Sequence, residues 1–173
     1  AMANFLTEYS ASVDAFEPEE SALTDACARG YRDCSTTLEV MKGPYTLIGA
    51  FDVVEHVPDE RAFLKQLYER TAVGGTLLVT VPAFMFLWSE HDVTHKHYRR
   101  YTKKLMIGRL KEAGFSVAYA RYWNIALFPV AVFLRLLNRG GGDTLTPHPI
   151  VNAILKVVIA TESFISPYLP IPF

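Results

Sequence analysis

The chain has 173 residues, half of them hydrophobic, with 17 basic and 18 acidic side chains and a net charge of −1. This length suits one domain with a substantial core, and the composition excludes a disordered chain. The near-zero charge excludes the global basic field on which nucleic-acid binding depends, so no nucleic-acid partner is expected.

In chain order, residues 2–10 read as the end of a helix, with Phe5, Leu6 and Tyr9 on one side. Residues 12–16 are a short strand candidate that closes on Glu17-Pro18. A proline cannot extend a strand but can open a helix at its first position. The helix that follows, 19–29, has acids in its first turn, Arg29 in its last and Gly30 as its C-cap. Residues 31–37 form a weaker strand, and Gly43-Pro44 marks a turn. The apolar run 47–51 lacks alternation, which suits a strand covered on both faces in a parallel sheet. It ends in Asp52, Glu55 and His56, and in open α/β sheets ligands bind beyond the carboxyl ends of strands. Asp59 caps a helix over 60–71, with Phe63, Leu64 and Leu67 inward. Gly74-Gly75 reads as a turn into a second apolar strand, 76–81, ended by Pro82.

A long polar and aromatic segment, 83–101, follows. Thr102 then caps a basic helix over 103–113, with Leu105, Met106 and Leu110 as its apolar side and Gly114-Phe115 at its end. Residues 116–122 read as another strand, 125–138 and 151–164 as helices, and 139–149 as a glycine-rich loop between them. Alternating strands and helices argue for a mostly parallel α/β sheet with right-handed crossovers. No repeat or linker divides the chain, so one domain is expected over 1–173. Neither C-terminal apolar stretch is long and clean enough to span a bilayer, which takes about 20 apolar residues. Peripheral membrane contact through 125–138 and 151–164, homodimer formation, or plain packing on the sheet are the readings of those helices. Cys27 and Cys34 make neither a ligand spacing nor a disulfide framework, and no signal sequence is visible, so a cytoplasmic setting is expected.

His91, Asp92, His95 and His97 form a second polar cluster. His-x3-His can place two imidazoles on one helix face, as zinc sites do, but no apolar periodicity marks a helix here and no cysteine joins in. The preferred reading is a substrate-side loop whose histidines move a proton from an acceptor hydroxyl. The other is a solvated loop with Tyr98 and Tyr101 packed down. Arg99 and Arg100 suit a phosphate or carboxylate on the acceptor. Phe84, Met85, Phe86 and Trp88 can line an acceptor pocket or serve as lid and core packing.

The order of these pieces resembles a class I S-adenosylmethionine-dependent methyltransferase over nearly the whole chain. The likeness rests on an acid, Glu17, ending an early strand and on Phe51-Asp52-Val53-Val54-Glu55-His56 after a later one. It also rests on a Gly-Gly turn into a strand ending at Val81-Pro82, and on Ala113-Gly114-Phe115 before the next strand candidate. Leu87-Trp88-Ser89-Glu90-His91-Asp92 with His97-Tyr98-Arg99-Arg100-Tyr101 resembles one bacterial branch of that family. The resemblance implies an incomplete Rossmann-like fold. The chain opens at Ala1-Met2-Ala3-Asn4, where the family's first strand and G-x-G-x-G loop should be finishing, and stops at Pro172-Phe173, before one more expected strand.

The resemblance also implies roles. Glu17 would bind the ribose hydroxyls of S-adenosylmethionine, or stand as a solvated acid at a helix start. Thr37, Leu38 and Glu39 follow the strand after which the family holds adenine. Asp52, with Val53, would lie beside the sulfonium and orient the acceptor or act as base, unless it only caps the next turn. The catalytic candidates are then Asp52, His56, His91 and His95, and the acceptor candidates Trp88, Asp92, His97, Arg99 and Asn124. The spacing Asp52-x-x-Glu55-His56 resembles the Glu-x-x-Glu-His of some methyltransferase relatives that hold a divalent metal. The alternative is a helix-start acid with a histidine packed under the cofactor, and no metal is assigned. The implied reaction is methyl transfer to a small or lipid-like acceptor, at oxygen. The alternative is a non-catalytic interaction module that keeps the fold and pairs through an exposed sheet edge.

Overall fold

A computed structural model describes residues 13–17, 23–24, 28, 31–129, 132, 156–158 and 160–162. The expected helix over 2–10 lies outside the described residues, as do most of 19–29, 133–150 and 163–173. The framework is two parallel strand pairs with helices packed against them. Strand β1 (Ala15–Phe16) pairs with β2 (Cys34–Ser35), and β3 (Tyr45–Phe51) pairs with β4 (Thr71–Thr80). The pairs form separate ladders, joined where the Tyr45 hydroxyl donates to Asp14 at 2.8 Å. This is the incomplete Rossmann-like α/β arrangement that the sequence implies.

Helix α1 (Glu60–Arg70) crosses between β3 and β4, as a parallel connection requires. Asp59 caps it, accepting from the Ala62 N–H at 3.0 Å. Its inward face, Phe63, Leu64 and Leu67, belongs to one core with Ile48, Ala50, Leu77 and Val79 of the sheet. Helix α3 (Lys103–Ala113) packs beside α1, capped by Thr102 and ended by Gly114 in the left-handed region. A short helix α2 (Glu90–Thr94) precedes it.

Three expectations are corrected. Gly74-Gly75 is not the turn before β4. The strand already begins at Thr71, paired with Tyr45, and the register jumps to Leu47 opposite Thr76. The extra residues bulge out, leaving Val73 fully exposed, and a Cβ on Gly75 would meet the Tyr45 carbonyl oxygen at 2.9 Å. The β3–β4 ladder is not covered on both faces: Leu47 and Leu78 are 43% and 46% exposed, while the alternate residues face the core. Residues 116–122 join no ladder among the described residues and have no regular secondary structure. Further on, Ile125–Leu127 is a 3-10 turn, with helix at 128–129, 132, 156–158 and 160–162.

Three elements meet at one buried acid. Glu60 is 6% exposed and receives Arg99 and the Tyr101 hydroxyl, each at 2.6 Å, and Arg109 of α3. Burial alone would raise its pKa, but the bonds from Tyr101, Arg109 and Arg99 outweigh it and hold the carboxyl below its ordinary range. Burial and the Glu60 carboxylate push the Tyr101 phenol up. Replacing Glu60→Gln should cost about 2–3 kcal/mol in urea unfolding, because two guanidiniums lose their shared charge. A loss within about 0.5 kcal/mol would show that the junction does not depend on this acid.

Candidate active site

The site lies beyond the carboxyl end of β3. Asp52 follows the strand directly, with φ at +52°, a conformation that aspartate tolerates better than most residues. Its backbone N–H donates to the Thr80 carbonyl at 3.0 Å, and its carboxylate accepts from the Thr80 hydroxyl at 3.2 Å. The end of β4 therefore fixes where Asp52 stands. Val54–His56 then forms a 3-10 turn that sends Val54 and Glu55 inward and leaves His56 at the surface.

Glu55 is 1% exposed, and its Oε2 has no hydrogen-bond partner among the described residues. Burial pushes its pKa up to about 7, with the charges of Asp52 and Asp92 adding to the rise and that of Arg100 opposing it. His56 is shifted down, first by burial and then by His97, while a bond to the His95 backbone works the other way.

The segment from Ala83 to Tyr101 folds over this edge. Its ends are tied by a parallel bridge, with Phe84 N–H donating to the Tyr101 carbonyl at 2.8 Å and Tyr101 N–H to the Pro82 carbonyl at 2.9 Å. Inside it, Ser89 and Asp92 form a capping box that starts α2. Asp92 is completely buried and accepts a bidentate pair from Arg100 at 2.8 and 2.9 Å. It also accepts from the Ser89 N–H at 2.8 Å and from His97 Nδ1 at 2.9 Å. Burial would raise its pKa, but these donors overcome that and hold it far below the carboxylate range, so Asp92 is ionised.

This network brings the two sequence clusters together. The Tyr98 N–H donates to the Glu55 carbonyl at 2.8 Å, and the His97 ring stands edge-on to His56 with centroids 4.5 Å apart. One donor atom each from Glu55, His56 and His97 lie within 4.8 Å of one another. The His91 and His95 rings lie tilted against each other, centroids 3.9 Å apart, on the exposed side of α2, each 6.2 Å from the ring of His97. The His91–His97 segment is thus partly helical, contrary to the loop expected from its lack of periodicity. The capping box, a local signal, supplies the start of that turn.

Other candidates fare differently. Arg99 is taken up by Glu60 and by the Val57 and Pro58 carbonyls at 3.1 and 2.7 Å, so its guanidinium anchors the segment rather than facing an acceptor. Asp92, fully buried and ringed by donors, is likewise an anchor rather than an acceptor contact. Phe84 packs against Tyr122, Phe86 and Phe128 at 4.8, 5.4 and 5.3 Å in an aromatic cluster, while Trp88 is half-buried outside those ring pairs. Asn124 is exposed, in a left-handed turn. Of the cofactor candidates, Glu17, Thr37 and Asp52 each follow a parallel strand at its carboxyl end. The Glu17 N–H is held by the Ser35 carbonyl at 3.0 Å, and Thr37 is exposed. Leu38 and Val53 pack into or against the core, so only their backbones face outward chemistry. An acid after β1 and a turn after β2 fit a nucleoside's hydroxyls and base edge, while the sequence holds no G-x-G-x-G run for the methionine end.

A family model described as a methyltransferase domain matches residues 2–120. The chain belongs to this family. The match covers β1 to α3 and the whole β3 edge, and it supports the class I S-adenosylmethionine-dependent methyltransferase-like assignment. No curated protein matches this methyltransferase domain. Among its described residues no helix is long and apolar enough to cross a membrane.

The position of Glu55 makes a pH dependence. The folded chain keeps the Glu55 proton up to about pH 7, whereas the unfolded chain releases it near 4.5. The folded state binds more protons in that window, so stability falls as pH rises through it. His56, shifted down, acts in the opposite sense, so the comparison is between variants. Glu55→Gln should remove a loss of roughly 1–3 kcal/mol between about pH 5 and 8, read by urea unfolding in the presence of a chelator. Parallel stability curves for the two proteins would show that Glu55 does not hold its proton.

Proposed function

We infer that this methyltransferase domain moves a methyl group from S-adenosylmethionine to the oxygen of a small or lipid-like acceptor. The observation that carries the reading is Asp52, fixed by Thr80 in a left-handed conformation at the carboxyl end of β3, inside the span that matches the family. S-adenosylmethionine supplies, when bound, an electrophilic methyl on a sulfonium. Glu17 and the backbone after β2 would hold its nucleoside part. Asp52 orients the acceptor hydroxyl and accepts its proton, and such positioning is the main route to rate in an in-line displacement. His56, with His91 and His95 toward solvent, offers the proton an outward path. The aromatic group around Phe84 and the exposed Phe86 suit an acceptor with an apolar part.

Calorimetric titration with S-adenosylhomocysteine tests the reading. Submicromolar binding is expected, weakened about 10- to 100-fold by Glu17→Ala, which removes charge-assisted hydrogen bonds. With a panel of hydroxyl acceptors, Asp52→Asn should lower the transfer rate by about 10²- to 10⁴-fold while leaving S-adenosylhomocysteine affinity within about threefold. A folded chain that binds nothing would favour the non-catalytic interaction module instead.

A further inference from the structure

We propose that Glu55, His56 and His97 form a binding site for one divalent transition-metal ion, of the zinc class. Three independent features of the molecule converge on it. The donor atoms of these residues already lie within 4.8 Å of one another, a span that an ion at ordinary ligand distances of about 2.0–2.2 Å draws in with small side-chain shifts. Glu55 is 1% exposed and its Oε2 has no hydrogen-bond partner among the described residues, so the trio includes a buried carboxylate with an acceptor left open. Such an orphan is expensive unless a cation or a proton satisfies it.

The third feature is the support behind the His97 imidazole. Histidines that bind metals donate their other ring N–H to a carboxylate or a backbone carbonyl, which fixes the ring and its tautomer. His97 donates Nδ1–H to the ionised Asp92, leaving Nε2 as the lone-pair nitrogen. Asp92 is itself held by Arg100 from two directions, so the His97 ring is oriented before any ion arrives. A supporting carboxylate is therefore in place behind His97.

The donor set differs from the contiguous Asp52, Glu55 and His56 run. The Asp52 carboxylate is engaged by the Thr80 hydroxyl and does not belong to the trio, and the third ligand comes instead from the segment folded over the edge. Two imidazoles and one carboxylate suit zinc, cobalt or manganese rather than calcium or magnesium, which prefer oxygen ligands. Three protein ligands leave a position for water or an acceptor oxygen. With His56 engaged as a ligand, Asp52 remains the group that takes the acceptor's proton. Ion binding itself does not depend on the methyl-transfer reading.

The test uses the full chain without a histidine tag, stripped with a chelator and titrated with zinc alone by calorimetry. Cobalt absorption then reports the ligand field. One ion per chain should bind, with a dissociation constant of about 1 µM or tighter. His56→Ala and His97→Ala should each weaken it by about 100-fold, and Glu55→Gln, which keeps the side-chain volume, by at least about 10-fold. His56 is exposed, so its removal leaves the fold intact, as circular dichroism would verify. The double variant His91→Ala/His95→Ala should bind within about twofold of the parent. Absence of binding would overturn the site. So would affinity lost with His91 and His95 but kept without His56 and His97, which would place the ion on the exposed pair.

Discussion

The structure depends most on one carboxylate taken out of water and given enough donors to remain charged. Glu60 sits in the first turn of α1, yet its partners come from the end of the folded-over segment and from α3. A carboxylate buried without partners costs several kcal/mol, so the three donors are a condition for burying it at all. The geometry is correspondingly demanding. Arg99 also satisfies the Val57 and Pro58 carbonyls, which closes the exit of the 3-10 turn carrying Glu55 and His56. The helix that covers the sheet, the helix beside it and the approach to the site are thus set by a single junction.

Three acids are buried among the described residues, and they are treated unequally. Glu60 and Asp92 are each surrounded by arginine and other donors, and both are held below the usual carboxylate range. Glu55 receives no comparable partner for Oε2 and is shifted up to about 7. Two satisfied acids build the frame, and the unsatisfied one lies beside His56 and His97. This division follows from local supply. Arg99 and Arg109 are placed by the backbone around Glu60, Arg100 points to Asp92, and among the described residues no basic side chain makes a hydrogen bond to Glu55.

Features written in short-range patterns were legible in the sequence. β3 followed from an apolar run that ends in charge, and the caps at Asp59 and Thr102 followed from side chains placed three residues before the N–H they receive. The Glu60 junction was not legible, because an acid in a helix's first turn already has a local explanation in the dipole, and its partners lie 39 to 49 residues away. For the same reason Arg99 looked available to a ligand. The glycine pair at 74–75 is ambiguous in sequence because glycine marks bulges as well as turns, and only pairing with β3 distinguishes them. At the site, the acids and histidines were found separately. That His97 stands against His56 is a product of the Asp92 network, whose members look like ordinary surface charges one by one.

The bridge between Ala83 and Tyr101 closes the folded-over segment at its base, with α2, the outer histidines and much of the aromatic group lying inside the closure. Because the two ends are fastened to each other and to the core, the cost of closing the loop rises only slowly with the number of residues it contains. The later part of the interior is fastened as well, by Tyr98 to the Glu55 carbonyl and by Arg99 to Glu60. Insertions or exchanges are therefore accommodated best before Ser89, ahead of the residues that anchor the segment. A chain built this way can vary the first stretch of the segment while keeping its frame.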